Sequence, residues 1–402
     1  MASVASAEEA VRRWPLSRLD VAGALGDIGV LFPIVIALIS LNHMNPTAVF
    51  LAAGLAYILA GAYFRIPMSV QPFKAVAAIA LALALPPSSI ASAGLLMGVL
   101  MAVLAITNLV TVLAKLFSLP IIRGVQLGLG LILAREGLRL IFGSKTEPVL
   151  AGAAAMASWE IALAGGVVLL VFLRSRRFPA ALMLLTGGVI LGLLGHGHEL
   201  HSLSAGPEAL DFLRPSATEV KRMFIVLALP QFALTFGNSI VATENTARVP
   251  FGAQANRVTA RALSLSISVM NLVAATFLGA PMCHGSGGIT AHYKFGARGP
   301  KSTYIIGGAC LLLAFSGRAA IVLLTLIPVA VLGVFLVYVG VQHGALVLDV
   351  VKKRSSFLIA ASVGIVSLLA TNLTLGFLVG FVLQGALALV ARLAREEAVA
   401  LR

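Results

Sequence analysis

Two stretches decide how this chain folds: Arg65-Ile66-Pro67-Met68-Ser69-Val70-Gln71-Pro72 and Gly279-Ala280-Pro281-Met282-Cys283-His284-Gly285-Ser286. Each places a Pro-Met pair at the end of a helix-length apolar run. Each then opens a conspicuously short apolar segment interrupted by Gly or Pro, over residues 70–85 in the first case and 285–296 in the second. Equivalent short, broken segments in two halves of a membrane chain mark a transporter whose binding site lies near the bilayer midplane.

Working outward from these stretches, the apolar runs of the first half cover 21–40, 47–64, 70–85, 90–114, 118–141, 156–173 and 178–195. Those of the second half cover 222–243, 260–279, 285–296, 302–317, 319–348, 356–371 and 374–393. The expected fold is therefore an all-α polytopic membrane protein of about 14 transmembrane segments, with short half-helices at segments 3 and 10. Seven segments per half is an odd number, so the two halves must be inverted relative to each other. The expected divisions are a lead-in over 1–20, a first repeat over 21–195, an external loop over 196–221, a second repeat over 222–393 and a tail over 394–402.

Composition supports lipid as the main solvent. Of 402 residues, 59% are hydrophobic and only 11% charged, where a soluble domain carries about 25% charged residues. The formal net charge of +14 reads as topology rather than as nucleic-acid binding, because the basic residues sit in short, separated loops. With the N-terminus inside, twenty of the 29 Lys and Arg residues fall on the cytoplasmic side and seven outside, while Lys74 and Arg123 lie within segments. The expectation is an inner-membrane protein with both termini cytoplasmic. Residues 1–20 have no short apolar core ahead of a small-residue cleavage site, so they do not read as a signal peptide. Cys283 and Cys310 lack metal-ligand spacing, and no metal or cofactor is expected.

The chemistry follows from the short segments. A helix beginning near the midplane leaves about four backbone N–H groups without partners and concentrates partial positive charge there. Two such ends facing each other form a dry, donor-rich pocket for an anion. Gly285, Gly287 and Gly288 allow close backbone approach, Ser69 and Ser286 add hydroxyls, and Pro72 suits a first helical turn. Lys74, two residues beyond Pro72, is an intramembrane cation costing about 2.5–3.5 kcal/mol on insertion scales, so it is read as serving the substrate. Its structural alternative is an ion pair or snorkelling. Gln231, Thr235, Asn238 and Ser239 share one face of the eighth segment, which lines a pathway or makes interhelical hydrogen bonds. Asp27, Glu244 and His284 are the titratable candidates if transport is coupled to protons.

Several of these stretches resemble a known family. Pro67 through Ala75 resembles the first signature of the molybdate transporter family of plants and bacteria, which is related to the SulP sulfate permeases. Pro281 through Gly288, continuing over His292-Tyr293-Lys294-Phe295-Gly296-Ala297-Arg298, resembles the second. Gly26-Asp27-Ile28-Gly29 and Leu229-Pro230-Gln231 through Asn238-Ser239 also look like family stretches. The resemblance implies core and gate domains, with substrate held between segments 3 and 10 and segments 1 and 8 alongside. It implies a substrate site at Ser69, Gln71, Pro72, Phe73, Lys74, Gln231, Asn238, Cys283, His284, Gly285, Ser286, Gly287 and Gly288. Phe73 stands where the family typically has Met, a change that bears on pocket shape.

The expected function is secondary active transport of a tetrahedral oxyanion, molybdate or its rival sulfate, by alternating access, with a proton as the candidate co-substrate. A homodimer is left open. A nucleobase or bicarbonate carrier on the same fold is more distant, as is an anion channel. An intramembrane enzyme would need clustered His and carboxylate groups, or a nucleophile with a base in reach, which the sequence does not display.

Overall fold

The computed structural model describes residues 16–113, 118–143, 156–173, 175, 180–196, 206–317 and 327–400. Residues 1–15 of the expected lead-in, 197–205 of the long loop and 319–326 of the twelfth segment lie outside the described residues.

Helices account for most of the chain. The first half contains α1 (Arg18–Asn42), α2 (Pro46–Phe64), the strand β1 (Val70–Pro72), α3 (Lys74–Leu83), α4 (Pro87–Ile106), the short α5 (Leu109–Leu113), α6 (Leu119–Phe142), α7 (Ser158–Phe172) and α8 (Ala180–His196). The second half contains α9 (Ala217–Arg257), α10 (Ala260–Thr276), the strand β2 (Met282–His284), α11 (Ser286–Lys294), α12 (Lys301–Ser316), α13 (Val329–Gly344), α14 (Arg354–Ala370) and α15 (Leu373–Ala400). Every apolar run read from the sequence thus carries helix. The stretches Pro46–Phe64, Pro87–Ile106, Ala217–Arg257, Val329–Val350 and Leu373–Val390 are long and apolar enough to cross a membrane.

Local chemistry sets the boundaries. Ser17 and Asp20 form a reciprocal capping box at the start of α1, and Asn45 Oδ1 accepts from Ala48 N (3.0 Å) ahead of Pro46 in the first turn of α2. The eighth segment begins earlier than its apolar run suggests. Ser216 caps Ala217–Met223, and the helix then runs continuously into the membrane. Two π-helical stretches, Phe224–Ala228 and Thr235–Ala242, flank Gln231 in α9 and turn its polar face locally.

The third and tenth segments are built differently from the rest. Each is an extended strand followed by a helix of 10 or 9 residues. The strands pair antiparallel, with Val70 opposite His284, Gln71 opposite Cys283 and Pro72 opposite Met282. Phe73 N donates to Pro281 O (2.9 Å) and extends the ladder by one step. The pairing brings backbone from opposite repeats together in mid-fold, where its polar groups satisfy each other.

Packing repeats the same inversion. Helix α2 packs on α12, and α10, the counterpart of α2, packs on α4, the counterpart of α12. Helices α6 and α13 pack closely on each other. A Cβ placed on Gly130 or Gly340 would strike the other's carbonyl oxygen, and Gly137 and Gly333 stand in the same relation. Such reciprocal small-residue contacts let membrane helices approach at backbone distance. The result is a fold of seven-plus-seven inverted segments, with a core around the β1–β2 pair and a second bundle centred on α6 and α13.

Candidate functional site

The two Pro-Met pairs are held by polar side chains from neighbouring helices. Asn271 of α10 accepts from Met282 N (3.0 Å) and donates to Met282 O (2.7 Å). Thr303 of α12 accepts from Met68 N (3.1 Å). These contacts fix the ends of both strands and therefore the starting points of α3 and α11.

Beside β1 lies a buried polar cluster centred on Asp27 of α1. Its Oδ1 accepts from Ser69 Oγ (2.9 Å) and Gln71 Nε2 (2.7 Å), and its Oδ2 accepts from Tyr57 OH (2.7 Å). His292 Nε2, on the last turn of α11, lies 3.3 Å from Oδ2. Lys74 Nζ donates to Gln71 Oε1 (2.7 Å), so one glutamine side chain connects the buried cation to the buried carboxylate. Lys74 is thus neither at a lipid interface nor in direct contact with an acid.

The two half-helix starts differ sharply. At α3, Gln231 Oε1 accepts from Ala75 N (3.0 Å) and Val76 N (3.4 Å), while its Nε2 donates to Thr235 Oγ1 (3.0 Å). The amides of Ala75 and Val76, which follow Gln71 and were expected to face a substrate oxygen, are therefore occupied in this structure by a side chain of α9. At α11 the first helical bond is Ile289 N to Gly285 O (3.3 Å). Among the described residues, no side chain accepts from the amides of Ser286, Gly287 or Gly288. Gly287 is exposed, and a Cβ there would meet open space. Ser286 Oγ donates to Asn238 Oδ1 (3.0 Å), and both residues are half-buried beside the opening.

Glycine at 285 and 288 answers to close approach. A Cβ on Gly285 would lie 2.7 Å from Gln71 Oε1, and one on Gly288 would collide with Ser69 Oγ and Asp27 Oδ1. Helix α11 therefore leans directly on the Asp27 cluster. The polar face of α9 divides its work, with Gln231 serving α3 and Asn238 serving α11.

Other sequence candidates sit elsewhere or have different partners. Phe73 and Cys283 are buried around the strand pair, and Pro72 occupies the ladder opposite Met282. His284 Nδ1 donates to Ser69 O (3.0 Å), and Nε2 contacts Ser266 Oγ (2.9 Å). A carbonyl can only accept, so Nδ1 carries the hydrogen and Nε2 is left for the serine hydroxyl. His284 thus braces the two strands. Glu244 pairs with Arg248 Nη2 (2.6 Å), one turn along α9 and away from the cluster. Tyr57 was not singled out from the sequence, and His292 was quoted only as part of a signature. A lone tyrosine or histidine in an apolar run carries no signal of the carboxylate it will meet.

With this geometry established, comparison with known proteins is informative. A family model described as a molybdate transporter of the MFS superfamily matches residues 20–133 and 223–342. The chain is 29% identical to molybdate transporter 2 of Arabidopsis thaliana, covering 92% of this chain and 87% of that protein. It is 30% identical to molybdate transporter 1 of Chlamydomonas reinhardtii, covering 93% and 92% respectively. Among solved structures, the transmembrane domain of a cyanobacterium bicarbonate transporter, BicA, superposes with a TM-score of 0.66 at 17% identity, over 90% of this chain and 97% of that one. The murine Slc26a9 anion transporter in its inward-facing state gives 0.65 at 17% identity, over 94% and 70%. The fold is shared with these two transporters. The family match covers more than half of the residues, extends across both repeats, and shows that this chain belongs to the molybdate transporter family.

Proposed function

We propose that this chain is a secondary transporter of a tetrahedral oxyanion, most naturally molybdate, bound at the start of α11 and carried by alternating access. The observation that supports this reading is the free N-terminus of α11. There Gly287 is exposed beside Ser286 and Asn238, and among the described residues no side chain accepts from the amides of Ser286, Gly287 or Gly288. Unpaired helix-end amides carry partial positive charge and donate to anion oxygens without competing acceptors. In this reading β1, α1–α4 and α9–α12 form the moving core, and α6–α8 with α13–α15 form the gate. Lys74 supplies positive charge through its position behind Gln71 and shifts toward the anion when Gln71 or Gln231 reorients. The membrane is an inner membrane, with both termini cytoplasmic.

Sulfate has the same charge and shape, and so is the rival cargo. The names of the Arabidopsis and Chlamydomonas relatives favour molybdate. Of the three coupling candidates, Asp27 is favoured, because it is buried against a second proton-binding side chain, His292, at 3.3 Å.

The test is uptake of molybdate by the purified protein in liposomes, with excess sulfate as competitor. Saturable uptake that resists sulfate is the expected result. Uptake abolished by equimolar sulfate would make the chain a general oxyanion carrier, and non-saturable flux would make it a channel.

A further inference from the structure

We infer that His292 and Asp27 form a proton-binding pair, and that His292 takes up one proton when the dianion binds at the opposite end of α11. The inference rests on the oxyanion reading above and identifies a residue and a ligand, the proton, for its coupling.

Both side chains are fully buried, and they lie 3.3 Å apart. Asp27 already receives hydrogen bonds from Tyr57, Ser69 and Gln71, distributed over both oxygens. A carboxylate so surrounded is an acceptor at every contact, and a carboxylic-acid proton there would face donors. The imidazole is therefore the member of the pair with room for a proton. Both of its ring nitrogens are buried and have no hydrogen-bond partner among the described residues, Nε2 lying near Asp27 without bonding to it. Buried polar atoms are normally paired, so an unpaired imidazole with Nε2 3.3 Å from a carboxylate is the group that a proton, delivered by water, would turn into an ion-pair partner of Asp27.

The connection to the anion is direct. His292 lies six residues from Ser286 on the same 9-residue helix, less than two turns away. From Lys74 the hydrogen-bonded route runs through Gln71 to Asp27. Lys74 and Asp27 offset each other's charge, so a dianion partly buried at the start of α11 would bring two uncompensated charges close to them. Such burial is strongly unfavourable, and one proton on His292 halves the excess.

The charged or titratable groups facing the pair from neighbouring elements are few. They are Tyr57 on α2, whose hydroxyl donates to Asp27, and Lys74 on α3, joined to Asp27 through Gln71. Of these, only Tyr57 contacts Asp27.

The experiment measures protons taken up per anion bound when molybdate is added to the detergent-purified protein in weak buffer, together with molybdate affinity across about pH 6.5 to 8. The wild type is expected to take up close to one proton per anion, and its affinity to weaken by up to about tenfold per pH unit as pH rises. His292→Gln, which keeps a polar side chain but cannot carry charge, is expected to bind with little pH dependence and no proton uptake. Retained proton uptake in His292→Gln would overturn the inference. Should that variant fail to fold, histidine-labelled wild type read by NMR replaces it. One buried imidazole is expected to change from neutral to charged on anion addition at constant pH, and no such change would overturn the inference. Absence of molybdate and sulfate binding by the wild type would instead sink the oxyanion reading itself.

Discussion

Helices α3 and α11 occupy equivalent places in the two repeats, yet one start is closed and the other open. At α3 the first residues are buried, the free amides are capped by Gln231, and the cation Lys74 is tied to Gln71. At α11 no side chain among the described residues caps the amides of Ser286 to Gly288, and Gly287 faces open space. An inverted repeat supplies two similar anion-seeking helix ends. Divergence of the surrounding side chains makes one of them a socket and the other a reserve. The contrast originates in α9, whose Gln231 reaches across to α3 while Asn238, two turns on, merely flanks α11.

The contrast can be broken most severely at the open end. Of the three glycines at the start of α11, Gly287 is the one where added bulk meets no protein atom, so Gly287→Val should fold normally and lose oxyanion binding altogether. Thermal stability and molybdate affinity, measured side by side, check this; a stable variant with wild-type affinity would place the substrate elsewhere. One residue later the outcome should reverse. Gly288→Val would drive a side chain into Ser69 and Asp27, costing about 3 kcal/mol of stability, which a thermal melt in detergent would register.

Smaller effects sharpen the account of the closed end. Lys74→Met removes the buried cation while keeping its volume, and should weaken molybdate binding by about 2 kcal/mol, roughly thirtyfold. Unchanged affinity would leave Lys74 as a partner for Gln71 alone. Gln231→Ala uncaps Ala75 and Val76 and should cost about 1 kcal/mol of stability while leaving molybdate affinity at α11 unchanged. Weaker binding in that variant would instead mean that the Gln231 amide donates to the substrate.

Much of this was legible in the sequence because it rests on local signals. The apolar runs, the two Pro-Met pairs and the Gly-rich opening of residues 285–288 specify where helices begin, break and restart. Periodicity placed Gln231 and Asn238 on one face, and the structure puts both beside the half-helices. Other features depend on long-range pairing. The register of Val70 opposite His284, the reach of Gln231 to Ala75 and the meeting of Asp27 with Tyr57 and His292 join residues far apart in sequence. Helical spacing identifies which face a residue occupies but not which helix will cover it. For that reason the sequence points to Lys74 as a charge near the substrate but not to Gln71 as the group that holds it. Likewise, His284 was read as a titratable group, although it braces the strand pair.

The central claim is that the oxyanion sits at the start of α11. Molybdenum is heavy enough to be located by anomalous scattering in crystals grown with molybdate. The account predicts a peak adjacent to the amides of Ser286 and Gly287, with Asn238 beside it and the α3 end still capped by Gln231 or newly released. A peak distant from α11, or none at saturating molybdate, would contradict it.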